Sequence, residues 1–314
     1  MSLEELSMKR LPVIIFALLL VLSLAVSAYA EGSRIKVVVS IHPLADLTRQ
    51  VGKEKVMVKT LLPPAASPHT FEPTPKQMME LWDAGLFIKI GAGLEFWAER
   101  IVNAVANKNL IVVDLSKGMP LMYSVHEHEH EGSRGDLARK KSPESADPHF
   151  WLDPVLAKQI VDRIAGALIQ VDSKNKKFYT ENAEKYKGEL DKLNQEAVQK
   201  VSRFRTKEYV TFHPAWNYFS RRYGLKVAGV IEEAPGREPS PGHVAGLIRD
   251  LRKLNARVVF AEPQFSPRVA EAIAQEAGAR VLFLDPIGAS NAPDRDTYLK
   301  LMRYNLDQME RAMK

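Results

Sequence analysis

The chain has 314 residues, with 44 Lys and Arg against 38 Asp and Glu, a formal net charge of +6 and no cysteine. Without a thiol there is no disulfide stapling, thiolate metal ligand, cysteine nucleophile or lipid attachment through an N-terminal cysteine. The positive balance is mild, and the basic clusters Arg139-Lys140-Lys141 and 174–177 carry no interleaved aromatics, so nucleic acid is not an expected partner.

Residues 1–30 read as an export signal. Met8-Lys9-Arg10 supplies positive charge, and the apolar stretch that follows covers about 16 residues. A membrane span needs roughly 20. Ala28-Tyr29-Ala30 has the small-x-small form of a cleavage site. The mature protein is therefore expected to be periplasmic or otherwise extracytoplasmic, not lipidated and free of further apolar spans.

The remaining chain shows two sets of four short, β-branched runs, each closed by Pro, Gly or Asp. The first set, at 35–39, 56–62, 86–90 and 110–113, belongs to an N-terminal lobe over 31–175. A helical pattern at 75–84 falls among these runs. Residues 124–147 hold His126, His128 and His130 alternating with glutamates, then Gly, Ser, Arg, Lys and Pro. So little apolar content predicts a disordered loop. A linker helix is expected over 176–205, because Tyr186, Leu190, Leu193, Ala197, Val201 and Phe204 recur every three or four residues. The second set of runs, at 209–212, 226–231, 258–260 and 281–284, places a C-terminal lobe at 206–314, with a helical pattern at 267–277. Strands alternating with helices predict an α/β fold: two Rossmann-like lobes, each with a four-stranded parallel sheet, joined by a long rigid helix.

Chemistry concentrates where these strands end. His69 stands in Ser67-Pro68-His69, His149 in Asp147-Pro148-His149, His213 in His213-Pro214, and Asp285 follows the last strand. Proline restricts the backbone on either side and so fixes where each imidazole begins. Open α/β sheets bind ligands beyond the carboxyl ends of their strands, which places the four groups in the cleft between lobes. Three imidazoles and a carboxylate form a closed, four-coordinate set suited to zinc. His42 and Glu262 also end strands; each is suited to orienting a ligand, or to an ordinary structural hydrogen bond. His126, His128 and His130 would collect metal loosely as an accessory loop, or simply form a solvated loop. No P-loop, H-E-x-x-H or G-x-S-x-G pattern is present, and Gly91-Ala92-Gly93 lacks the third glycine of a dinucleotide fingerprint.

The stretches 68–75, 147–154 and 212–216 resemble the solute-binding proteins of zinc and manganese ABC importers. Residues 91–95 with Trp97, Glu238-Pro239-Ser240, Phe265-Ser266-Pro267 and Leu284-Asp285-Pro286 extend the similarity through nearly the whole mature chain, in order. The resemblance implies a metal carrier, not an enzyme. It places the ligands on His69, His149, His213 and Asp285, and implies a membrane permease as partner. The histidine loop at 126–130 is similar to that of the zinc branch. Manganese carriers often have glutamate at the position of His213, so Zn2+ is the expected cargo ahead of Mn2+ or iron. A monomer is expected. The competing readings are a zinc hydrolase, which would keep one coordination position open for water, and a surface adhesin.

Overall fold

The computed structural model describes residues 34–123, 146–254 and 257–314. The expected signal at 1–30 and the histidine run at 126–130 lie outside the described residues.

Four strands build the first sheet: β1 (Ile35–Val39), β2 (Val56–Thr60), β3 (Leu86–Lys89) and β4 (Ile111–Asp114). Four more build the second: β5 (Glu208–Thr211), β6 (Lys226–Val230), β7 (Val258–Ala261) and β8 (Arg280–Phe283). All pairs are parallel, and the strand orders β2-β1-β3-β4 and β6-β5-β7-β8 are the same pattern used twice. Central strands carry continuous apolar runs because helices cover both of their faces: Val37, Val38 and Val39 are fully buried, as are Val259, Phe260 and Ala261. Edge strand β2 instead alternates between buried and exposed side chains.

The helices are α1 (His42–Gly52), α2 (Pro75–Met78), α3 (Ala98–Val105), α4 (Pro154–Val171), α5 (Lys176–Ser202), α6 (Asn217–Tyr223), α7 (Pro241–Lys253), α8 (Arg268–Ala277) and α9 (Tyr298–Met313). The helix expected at 75–84 stops at Met78 and continues as a 3-10 turn, Met79–Leu81. Glu80 there pairs with Lys36 and Lys59 of the neighbouring strands. Helix α5 has 27 residues, and at about 1.5 Å per residue it is roughly 40 Å long. Its stripe Tyr179, Ala183, Tyr186, Leu190, Leu193, Ala197 and Val201 is buried.

That stripe belongs to one hydrophobic cluster that runs from β1, α1 and α4 through α5 into β5, α6 and α9. The junction between lobes is therefore packed core. Buried polar groups reinforce it. Trp151 Nε1 donates to Pro286 O at 2.8 Å, and Tyr298 Oη donates to Trp151 O at 2.6 Å. Asp46 Oδ2, on α1, accepts from Tyr298 N at 2.8 Å and from Tyr186 Oη at 3.4 Å. Each links groups distant in sequence, and each satisfies polar atoms that burial would otherwise strand.

Candidate metal centre

In each sheet the chain departs in opposite directions from its two central strands, β1 and β3 or β5 and β7, which leaves a crevice beyond their carboxyl ends. His213 lies just past β5 and Glu262 just past β7. These strands are neighbours, with Val210 opposite Val259, so the two residues meet. Glu262 Oε1 accepts from His213 Nδ1 at 2.7 Å and from His213 N at 3.3 Å. Glu262 is fully buried, and its Oε2 has no hydrogen-bond partner.

His149 opens a 3-10 turn, His149–Leu152, which leads into α4. Two residues earlier, Asp147 folds over it: Oδ1 accepts from His149 N at 3.0 Å and from Nδ1 at 2.8 Å, while Oδ2 accepts from Asn217 Nδ2 at 3.0 Å. His69 comes from the loop after β2. Thr74 and Gln77 form a capping box at α2, and Gln77 Nε2 donates to Leu61 O at 2.8 Å, closing that loop at its base.

These contacts decide the tautomers. A carboxylate only accepts, so Nδ1 of His149 and of His213 carries a proton, and in the neutral ring Nε2 then presents a bare lone pair. The two Nε2 atoms face each other at 3.2 Å, and His69 Nε2 lies 3.0 Å from that of His149. Two lone pairs at that distance repel unless a proton or a cation sits between them. Tetrahedral zinc with bonds of about 2.0–2.1 Å separates its nitrogens by roughly 3.3–3.4 Å. The spacing already present is close to that.

The surroundings favour the neutral form of His69 and His149. Burial, with the neighbouring His149 and His213, holds the His69 imidazole well below its ordinary 6.5. Burial also lowers His149, against the opposing pull of Asp147. Phe265 stacks on Phe212 and meets the edge of His213, and Trp151 lies beside His149. The space enclosed by the three rings is about 10 Å³, lined also by Gln264, Pro286 and Ile287. That is close to the smallest volume that holds one water. An ion fits, and an organic substrate does not.

Among the described residues the cluster able to hold a metal comprises His69, His149 and His213, with ligand atoms within 4.8 Å of one another. Asp285 is buried next to Pro286, but its carboxylate is committed elsewhere. Oδ1 accepts from Gln264 Nε2 at 2.8 Å, Ile287 N at 3.1 Å and Gly288 N at 2.9 Å, and Oδ2 pairs with Arg295 Nε at 2.8 Å. His42 donates from Nε2 to Asp296 O at 2.9 Å and is not in the cluster. Glu262 orients His213, as described. Sequence reasoning assigned no role to Asp147, Gln264 or Arg295. Asp147 was within reach, because an aspartate two residues before a histidine can fold over it in an Asx-type turn.

Residues 37–312 match the family described as zinc-uptake complex component A, periplasmic. The chain is 31% identical to the high-affinity zinc uptake system protein ZnuA of Bacillus subtilis, over 90% of this chain and 89% of that protein. It is 28% identical to the manganese ABC transporter substrate-binding lipoprotein PsaA of Streptococcus mitis, over 89% of each. A crystallised ZnuA deletion mutant with zinc bound superposes with a TM-score of 0.76 at 32% identity, covering 90% of this chain and 99% of that one. With its doubled four-stranded lobes, connecting helix and converging histidines, the chain belongs to the periplasmic ZnuA family of zinc-uptake proteins.

Proposed function

We infer that His69, His149 and His213 are the residues with which this zinc-binding solute-binding protein holds its ion. The observation that carries the assignment is the 3.2 Å approach of two Nε2 atoms, each on a ring whose Nδ1 is held by a buried carboxylate. Asp147 and Glu262 bring two negative charges behind the rings, matching a divalent cation. Asp285 is the residue we assign to the fourth position, which opens on the side of Gln264, Pro286 and Ile287. Its carboxylate would have to leave Arg295 to reach the ion.

The family works as the solute-binding part of metal ABC importers, which implies a membrane permease as partner. The protein captures extracytoplasmic zinc and surrenders it at that permease; it is not an enzyme. We assign the first lobe to 31–175, the linker to 176–205 and the second lobe to 206–314, and propose that the protein acts as a monomer without a lipid anchor. The absence of cysteine supports the last point.

The test is zinc titration of metal-stripped protein by competition with a chromophoric chelator. One tight site per chain, lost in His149→Ala and little changed by deleting residues 126–131, is the expected result. Equal losses from the two changes would overturn the assignment in favour of the loop.

A further inference from the structure

One tetrapeptide occurs twice in the chain. Glu72-Pro73-Thr74-Pro75 and Glu238-Pro239-Ser240-Pro241 stand at the same place in the two lobes, between the edge strand, β2 or β6, and the helix that follows it. Both copies fold alike. Thr74 has φ −70° and ψ 160°, and Ser240 has φ −68° and ψ 153°. Each hydroxyl accepts from the backbone N–H three residues on, at 3.4 Å from Gln77 and at 3.2 Å from His243. Thr74 and Ser240 therefore cap α2 and α7, and neither glutamate has a part in its helix.

The two loops meet beside the metal centre. Thr70 follows His69 directly, and a Cβ on Gly236 would lie 2.8 Å from Thr70 Cγ2. Two residues of chain span at most about 7 Å, so Glu72 and Glu238 flank this contact with their backbones within roughly 20 Å of each other. Both side chains are exposed. Glu72 faces Arg100 at 3.6 Å with both side chains more than half exposed, an ion pair worth little in water. Glu238 has no ion pair or hydrogen bond among the described residues. A residue before proline is confined to extended backbone, so each carboxylate stands on a stiff stem, which lowers the ordering cost of binding. Lys76 and Arg237 are exposed beside them, so the surface is no broad negative field, and exposed Glu233 has no counterpart in the first lobe. What repeats is one presented carboxylate for each lobe. That suits a partner with one cation for each lobe, as an assembly of two copies around a two-fold axis offers.

We propose that Glu72 and Glu238 form a two-point docking surface for the permease, each carboxylate meeting one basic side chain. The proposal rests on the zinc-carrier reading above and adds where the receiving partner takes hold. Because each glutamate lies two residues from the contact between Thr70 and Gly236, docking acts on the loop that carries His69.

The experiment measures binding of zinc-loaded protein to its permease and ATPase reconstituted in nanodiscs, and zinc uptake by the same complex in vesicles. Glu72→Gln, Glu238→Gln and the double variant are compared with Glu181→Gln, an exposed glutamate on α5. Each single variant should weaken permease binding about fivefold and the double variant about twentyfold or more, since rim charges at separate points act nearly additively. Raised salt should weaken the parent and leave the double variant nearly unchanged. Zinc affinity in solution should stay within twofold in all of them, and Glu181→Gln should behave as the parent. Permease binding by the double variant as tight as the parent's would overturn the proposal. So would a parent dimer that the double variant loses, which would assign the surface to a second copy of this chain. A parent that holds zinc but yields none to the permease would instead sink the carrier reading, and the proposal with it.

Discussion

Replacing Glu262 by glutamine separates what the buried carboxylate does for the ion from what it does for the fold. Glutamine keeps an oxygen to accept from His213 Nδ1 at the 2.7 Å contact, so the tautomer survives and only the charge is lost. Changes to a group that orients a metal ligand cost 10–100-fold in affinity, about 1.4–2.7 kcal/mol. With the hydrogen bond retained, the expected loss is at the lower end, about tenfold. The metal-free protein should respond oppositely. Glu262 is fully buried and its Oε2 lacks a partner, so neutralising it removes a desolvated charge and adds at most one unpaired amide donor. Urea unfolding in the presence of chelator should therefore show an unchanged or higher midpoint, while chelator competition shows weaker zinc binding. A zinc affinity within twofold of the parent would refute the reasoning. So would a loss of affinity matched by an equal loss of metal-free stability.

His149→Ala should weaken zinc binding by about a hundredfold or more, since structural zinc sites share roughly 10–16 kcal/mol among four ligands; a smaller loss in chelator competition would count against the cluster. Burial lowers the pKa of His69 and His149, so at a given pH below 6.5 the unfolded chain binds more protons than the folded one. Metal-free stability therefore falls as pH drops below 6.5, and zinc affinity holds from pH 8 down to 6.5 before protons compete; a marked loss of affinity already at pH 6.5 would contradict this. Gly288 has φ +67°, and a Cβ there would lie 2.5 Å from Arg295 O. Gly288→Ala should lower the urea-derived stability by about 1–3 kcal/mol, the range for a strained backbone position. Asp46→Ala strands the Tyr298 N–H at the start of α9 and should cost about 2 kcal/mol in the same assay.

The eight strands were legible because each is a short β-branched run between turn residues, and their parallel pairing follows from helices lying between them; their order within each sheet was not predicted. The linker helix was legible from its stripe, although Phe204 falls beyond its end at Ser202, buried but outside the helix. The helix at 75–84 was legible only in its first turn; the segment then tightens into a 3-10 turn, where Glu80 also pairs with two strands. Near the site, histidines flanked by proline at strand ends stood out, and strand adjacency then explains why Glu262 faces His213. What Arg295 does was not legible. It depends on how the segment after Asp285 turns back, with Gly288 at positive φ and Arg295 N bonded to Ala292 O at 2.9 Å, so that a side chain ten residues downstream meets the carboxylate.

The Trp151, Tyr298 and Asp46 hydrogen bonds bear on timing as well as on stability. They fix the floor of the cleft, beneath a space between the imidazoles about the size of one water. At an entry rate of about 10⁸ M⁻¹s⁻¹ a nanomolar site empties about once in ten seconds. An extracytoplasmic carrier makes very many encounters in that interval. Unloading on its own is slow on that scale, and the expected part of the permease is to open the site as it takes the cargo.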